Sequence, residues 1–82
     1  MTITLLYFAA VRELVGKAEE TIDLPAEVSN IAELASFLAH RDAALGARLP
    51  SVRFARNETF ASKEERLEPG DVIALIPPVA GG

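Results

Sequence analysis

The sequence predicts an α+β domain in which a mixed β-sheet carries its main helix across one face. Two strongly apolar segments, residues 3–8 and 72–76, lie near opposite ends of the chain. Such segments suit neighbouring central strands. One amphipathic helix and shorter alternating segments lie between them, and these supply one covering layer and the outer strands. This order of elements predicts a β-grasp roll.

The first half of the chain begins with a strand, a short helix and a second strand. Residues 3–8 are apolar at nearly every position, which predicts a strand buried on both faces. Residues 9–15 contain Ala, Glu and Leu and favour a short helix that stops at Gly16. Residues 20–24 alternate polar and apolar, so we expect a half-buried strand that ends at Pro25.

The main helix is predicted to begin after Asn30. Asn30 as N-cap and Glu33 three residues later resemble a capping box. Apolar residues then follow at helical spacing, which places one face on the sheet and Glu33, Ser36 and His40 on the outside. Residues 43–48 are expected to add a turn or two before Pro50.

The second half is predicted to return to the sheet through two turns. Residues 52–56 alternate as a strand, and Asn57-Glu58 forms a turn into residues 59–60. The charged residues 63–67 are expected to be irregular, and residues 68–71, Glu-Pro-Gly-Asp, form a turn. Residues 72–76 then form a second fully apolar strand, which Pro77 and Pro78 end.

Composition limits what such a domain can do. The chain has 82 residues, a net charge of −4, 50% hydrophobic residues and no cysteine. The absence of cysteine excludes disulfides, thiolate zinc sites and cysteine nucleophiles. An acidic chain without a basic cluster is poorly suited to nucleic acid. The chain is too short for a typical self-contained enzyme, so we expect it not to be catalytic alone and to depend on a partner.

The N-terminal segment does not predict targeting to a membrane. No basic region precedes its apolar residues, and the apolar run ends at Arg12, well short of the roughly 20 residues that span a bilayer. We therefore expect a cytoplasmic protein without a membrane partner.

The C-terminal residues carry the clearest chemical signal. Residues 1–76 are expected to form the domain, and residues 77–82 a flexible reactive tail, Pro77-Pro78-Val79-Ala80-Gly81-Gly82. Two glycines without Cβ atoms can pass through a narrow channel and leave the final carboxylate open to attack. The competing interpretation is that chain ends fray and that terminal glycines are incidental.

Both ends of the chain together resemble a known family. Residues 6–14, Leu-Tyr-Phe-Ala-Ala-Val-Arg-Glu-Leu, and the C-terminal series of Gly70-Asp71, an apolar strand, Pro-Pro-Val and Gly-Gly resemble the small subunit of molybdopterin synthase. That family comprises ubiquitin-like sulfur carriers, and the resemblance covers essentially the whole chain, including Asn57 between two short strands.

The resemblance implies a mechanism centred on Gly82. An ATP-dependent partner would join Gly82 to AMP, and a sulfur donor would then leave it as a thiocarboxylate. Inserted into the large subunit, the thiocarboxylate would supply sulfur to a cyclic pyranopterin precursor to form the molybdopterin dithiolene. The resemblance also implies a heterotetramer with two copies of each subunit, and no cofactor or metal bound by this chain.

Two other functions stay open. The chemistry could serve thiazole or another pathway, or the chain could be a ubiquitin-like modifier joined to lysines. In the third possibility, the domain is a non-catalytic β-grasp interaction module. The length and the Pro-Pro-Val segment favour the synthase subunit, because thiazole carriers are generally shorter and usually lack the paired prolines.

A docking surface for the partner is expected near the start of the tail. Phe8 and Ile76 would end their strands on that side, and Phe60 and Arg12 complete the candidate set. Arg12, Arg53 and Arg56 could contact acidic groups of a partner, although solvated surface arginines are the commoner case.

Other titratable residues do not suggest acid–base catalysis. The pairs Glu19-Glu20 and Glu64-Glu65 are expected in exposed, flexible stretches, where nothing separates their pKa values. His40 and Lys63 are expected on the surface.

Overall fold

Two apolar strands from opposite ends of the chain form the centre of the sheet. In the computed structural model, which describes residues 1–78, β1 (Thr2–Tyr7) and β5 (Val72–Ile76) lie side by side and run parallel. The three outer strands all pair antiparallel with their neighbours: β2 (Glu19–Asp23) with β1, β3 (Arg53–Arg56) with β5, and β4 (Thr59–Phe60) with β3. The resulting order, β2-β1-β5-β3-β4, confirms the predicted mixed β-grasp sheet.

Three α-helices connect these strands. They are α1 (Ala9–Val15), α2 (Ile31–Arg41) and α3 (Ala43–Arg48), and a 3₁₀ turn at Leu49–Ser51 follows α3. Helix α1 ends at Gly16 as predicted. The Asn30 side chain accepts a hydrogen bond of 2.8 Å from the Glu33 amide. The Glu33 carboxylate accepts hydrogen bonds from the amide and hydroxyl of Ser29, both at 2.8 Å. The backbone amides of Ser29 and Glu33 at the start of α2 are therefore both bound by side chains.

The hydrophobic core lies on only one face of the sheet. Ile3, Leu5 and Tyr7 of β1 and Ile73 and Leu75 of β5 are buried, and they cluster with apolar side chains of all three helices, namely Val11, Ile31, Leu34, Leu38 and Leu45. The alternate residues of both strands are exposed or half-buried. The prediction that β1 and β5 are buried on both faces is therefore wrong, because the helices cover one face and no element among residues 1–78 covers the other.

A buried carboxylate holds the beginning of β5. Gly70 adopts a positive φ of 84° in the predicted turn, a conformation that favours glycine. Asp71, which follows it, is 5% exposed. Its carboxylate accepts hydrogen bonds from Arg56 Nε at 2.6 Å, Asn57 Nδ2 at 3.0 Å and the Glu68 amide at 2.8 Å. The β3–β4 hairpin is thereby tied to the start of β5.

Two expectations for charged residues are wrong. Arg56 is not a solvated surface arginine, because it pairs with two carboxylates, those of Asp71 and of Glu65, the latter at 3.3 Å. Glu20 does not lie in a flexible stretch: it is on β2, accepts a hydrogen bond from the Tyr7 hydroxyl at 2.7 Å and pairs with Arg41 through two bonds of 2.9 and 3.0 Å. Neighbouring elements supply the partners of Arg56 and Glu20, and a single sequence does not reveal them.

Candidate functional site

The chain leaves the sheet beside the end of β1. Because β1 and β5 run parallel, their C-terminal ends lie at the same edge of the sheet, with Tyr7 paired to Leu75. Phe8 follows directly and donates a weak backbone hydrogen bond to the Leu75 carbonyl at 3.4 Å. Ile76 ends β5 at this edge, as expected, whereas Phe8 is the first residue after β1 and the N-cap of α1. Val79, Ala80, Gly81 and Gly82 lie outside the described residues.

An apolar groove of about 260 Å³ lies on the open face of the sheet at this position. Three of the residues proposed for docking line it together, namely Phe8, Phe60 and Ile76. The side chains of Phe60 and Phe8 are 54% and 46% exposed. Two phenylalanines with so much exposed surface, next to each other on a small domain, indicate a surface that another protein covers.

Four further residues line the groove and were not selected from the sequence: Leu6, Ala55, Val72 and Ala74. Leu6, Val72 and Ala74 belong to strands that were expected to be covered on both faces, and Ala55 belongs to a strand that was predicted to alternate. One signal was available in β1, where Thr2 and Thr4 alternate with Ile3 and Leu5. That alternation indicates a strand with one open face. Residues 72–76 carry no such signal, because both of their faces are apolar.

Arg12 does not line the groove. It lies on α1, exposed to solvent, and its carbonyl accepts a hydrogen bond of 2.8 Å from the Gly16 amide. The structure therefore places Arg12 on the element that follows Phe8 and outside the apolar surface itself.

Charged residues surround the groove unevenly. The Arg53 guanidinium lies over the Phe60 ring, 3.8 Å from its centroid. Arg53 pairs with Ile76 across β3 and β5, so this cation borders the tail end of the groove without lining it. Glu58 lines the groove from the hairpin turn, and Glu19 is paired with Leu6 at the β2 side of the same face.

The groups whose pKa values shift serve the fold. Burial and the hydrogen bond to Glu20 raise the pKa of the Tyr7 phenol. Burial alone would raise the pKa of Glu20, but hydrogen bonds from Arg41 and Tyr7 lower it overall. These groups and Asp71 all have protein partners within the fold. The residues that line the groove include no acid–base pair, and residues 1–78 contain no cluster of metal-ligating side chains.

A larger groove of about 610 Å³ lies between α2 and the β3–β4 hairpin. Small side chains of α2, Ala32, Ala35 and Ala39, form much of its wall. Phe60 and Arg53 line this groove, whereas Phe8 and Ile76 do not, so it adjoins the smaller groove at the hairpin and lies farther from the start of the tail. Size alone therefore does not make it the better candidate.

The described part of the chain has no helix with the length and apolar character that crossing a bilayer requires.

Comparison with known proteins finds the same likeness from sequence and from structure. Residues 5–82 match the ThiS family. The molybdopterin synthase sulfur carrier subunit of Dictyostelium discoideum is 35% identical over 80 residues, which cover 95% of this chain and 93% of that protein.

Two solved structures share the fold along essentially the whole chain. A putative molybdopterin converting factor subunit 1 from Pyrococcus furiosus has a TM-score of 0.84 and 30% identity, covering 96% of this chain and 99% of the other. A protein–protein complex of subunits 1 and 2 of the molybdopterin-converting factor from Helicobacter pylori contains a chain with a TM-score of 0.72 and 25% identity, with full coverage of both chains.

Proposed function

The chain belongs to the ThiS family, and from this membership we propose that it is the sulfur carrier subunit of a molybdopterin synthase. One observation of the structure carries the proposal: the strand that leads into Pro77 and Pro78 ends beside an exposed apolar groove. A carrier needs this arrangement, because its partner must bind the domain and receive the tail at the same time. The relatives that match along nearly their whole length have the same name and support the assignment.

The proposed chemistry takes place at Gly82. A carboxylate is a poor electrophile because its oxygen does not leave. Attack of the Gly82 carboxylate on the α-phosphorus of ATP, catalysed by an activating enzyme, would release pyrophosphate and give an acyl-adenylate. A donor of sulfide-level sulfur would then displace AMP and leave a thiocarboxylate. The thiocarboxylate sulfur would attack a cyclic pyranopterin precursor, and hydrolysis of the resulting thioester would leave the sulfur on the pterin and return Gly82 as a carboxylate. Two such transfers would supply the two sulfur atoms of the molybdopterin dithiolene.

The groove supplies the docking surface in this proposal. The large subunit covers Phe8, Phe60 and Ile76 and accepts the tail into its own active site, where it provides the acid–base groups. The complex of subunits 1 and 2 from Helicobacter pylori supports a partner of this kind. A heterotetramer with two copies of each subunit, an ATP-dependent activating enzyme as second partner and a cytoplasmic location are further parts of the proposal.

Deletion of Gly82 tests the proposed reaction. The variant should lose synthase activity in an assay that contains the large subunit, the activating enzyme, ATP and a sulfur donor, because no thiocarboxylate can form at the correct position. The free energy of unfolding should stay within about 0.5 kcal/mol of the parent, because the buried core of the described chain is formed by residues between Ile3 and Leu75. Full activity of the deletion variant would contradict the carrier mechanism.

The partner that co-purifies distinguishes the pathway. A pterin-binding large subunit supports the synthase assignment, whereas a thiazole synthase, or covalent linkage of the chain to lysines, would replace it with another carrier or modifier function.

A further inference from the structure

The open face of the sheet has a distinct polarity around its apolar groove. Arg53 stands at the end where the tail begins, since it is paired with Ile76. Glu58 stands at the hairpin end, beside residues that contact the start of β5, and Glu19 lies at the β2 side. Arg53 therefore adjoins the start of the tail, and the carboxylates of Glu58 and Glu19 lie at the hairpin end and the β2 side of the face.

Arg53 differs from the two arginines that serve the fold. Arg41 and Arg56 are both bound to carboxylates at 3.0 Å or less. Within residues 1–78, Arg53 has no carboxylate within ion-pair distance, and its guanidinium rests on the exposed ring of Phe60 instead. Stacking on an aromatic ring leaves the N–H groups at the edge of the guanidinium free to donate.

The stacked position prepares Arg53 for a carboxylate. A guanidinium binds a carboxylate through two parallel hydrogen bonds, and a ring that already holds it reduces the conformational entropy lost on binding. The chain carries a net charge of −4, so an acidic group of a partner is repelled by the molecule as a whole. Such a group is accepted only where the local charge is positive, as at Arg53.

We propose that Arg53, held on Phe60, binds a carboxylate of the large subunit and thereby fixes the orientation in which that subunit docks on the groove. This inference rests on the proposed function, because it takes the large subunit as the occupant of the groove. The contact adjoins Ile76, the last residue before the two prolines, so it determines the direction from which the tail enters the partner. A partner rotated end for end would place its carboxylate against Glu58, which repels it.

Affinity measurements at two salt concentrations test the proposal. Binding of the large subunit is measured by titration calorimetry for the parent chain, Arg53→Gln, Arg53→Lys and Arg48→Gln. Arg48 is an exposed arginine of α3, on the covered side of the sheet, and serves as the matched control. Circular dichroism of each variant checks that the fold is retained.

We expect Arg53→Gln to weaken binding about tenfold, the effect of losing one charge-assisted contact. The dependence of its affinity on salt should also become weaker, because a charged contact is lost. The affinity of Arg53→Lys for the large subunit should lie between those of Arg53→Gln and the parent, since lysine keeps the charge and loses the planar fork. Arg48→Gln should stay within about twofold of the parent.

Two results separate failure of this inference from failure of the proposed function. If the parent binds the large subunit and Arg53→Gln behaves like Arg48→Gln, or loses affinity with an unchanged salt dependence, the carboxylate contact is refuted and the carrier assignment stands. If the parent itself does not bind the large subunit, the proposed function and this inference both fail.

Discussion

At the scale of single residues, Asp71 shows how one buried charge organises the sheet. It receives three hydrogen bonds, and Asn57 beside it accepts the Val72 amide at 2.9 Å, so the first residue of β5 is fixed from the hairpin. Burial alone would raise the pKa of Asp71, but hydrogen bonds from Arg56, the Glu68 amide and Asn57 lower it below the usual 3.8. The ionised carboxylate thus stabilises the folded chain.

Asp71→Asn should therefore lower the free energy of unfolding at pH 7 by about 2 kcal/mol, the loss expected for charge-assisted hydrogen bonds of a buried group. The stabilisation by Asp71 is present above the pKa of the unfolded chain, near 3.8, and is lost as pH falls through the lower pKa of the folded state. Urea unfolding at pH 7 and pH 3 measures the difference in the free energy of unfolding between the parent and Asp71→Asn. This difference should be smaller at pH 3.

Asp23→Asn provides the control for this prediction, because the Asp23 side chain is 85% exposed. A difference between parent and Asp71→Asn that is equal at both pH values would show that the charge of Asp71 does not carry the effect.

At the scale of elements, the sequence predicted most of the helices and turns. Gly16, the Asn30 cap and the Gly70 turn depend on nearby residues, and each appears where the local pattern places it. The alternating threonines of β1 indicated its open face, but the open face of β5 could not be predicted in the same way. An apolar strand looks the same whether its second face is covered by a helix of its own chain or by a partner.

The residues of the site follow the same division. Phe8 and Ile76 were selected because they were expected to end strands near the tail, and the structure brings them together with Phe60, the third apolar candidate, in one groove. Val72 and Ala55 were missed because their place in the groove depends on the register of β5 against β1 and β3. The partners of Glu20 and Arg56 are 21 and 15 residues away in the chain, too far for local patterns to indicate.

Phe60→Asp tests the function of the open face. An aspartate in the apolar groove should weaken binding of the large subunit by more than tenfold, because the charge must be desolvated on docking. The fold should persist, since the Phe60 side chain is 54% exposed. Thr21→Asp on β2, on the same face and exposed, is the control and should bind nearly as the parent does. Unfolding of Phe60→Asp, seen by circular dichroism, would instead show that Phe60 stabilises the core.

At the scale of the whole molecule, one layer of helices on one sheet leaves a second sheet face without cover from residues 1–78. The buried apolar residues of the described chain form a single core. Further apolar side chains line the groove beside β5, the strand that leads to Pro77 and Pro78. A domain of this form is suited to being bound and to delivering a group. The missing cysteine agrees with a carrier that holds sulfur on its main-chain terminus.

The mass of the intact protein, isolated from cells that contain its activating enzyme, is the most direct test of the sulfur-carrier function. A sulfur carrier should show a population heavier by the difference between one sulfur and one oxygen atom, with the added mass located at Gly82 by fragmentation. A protein whose Gly82 carries only an unmodified carboxylate under those conditions would contradict it.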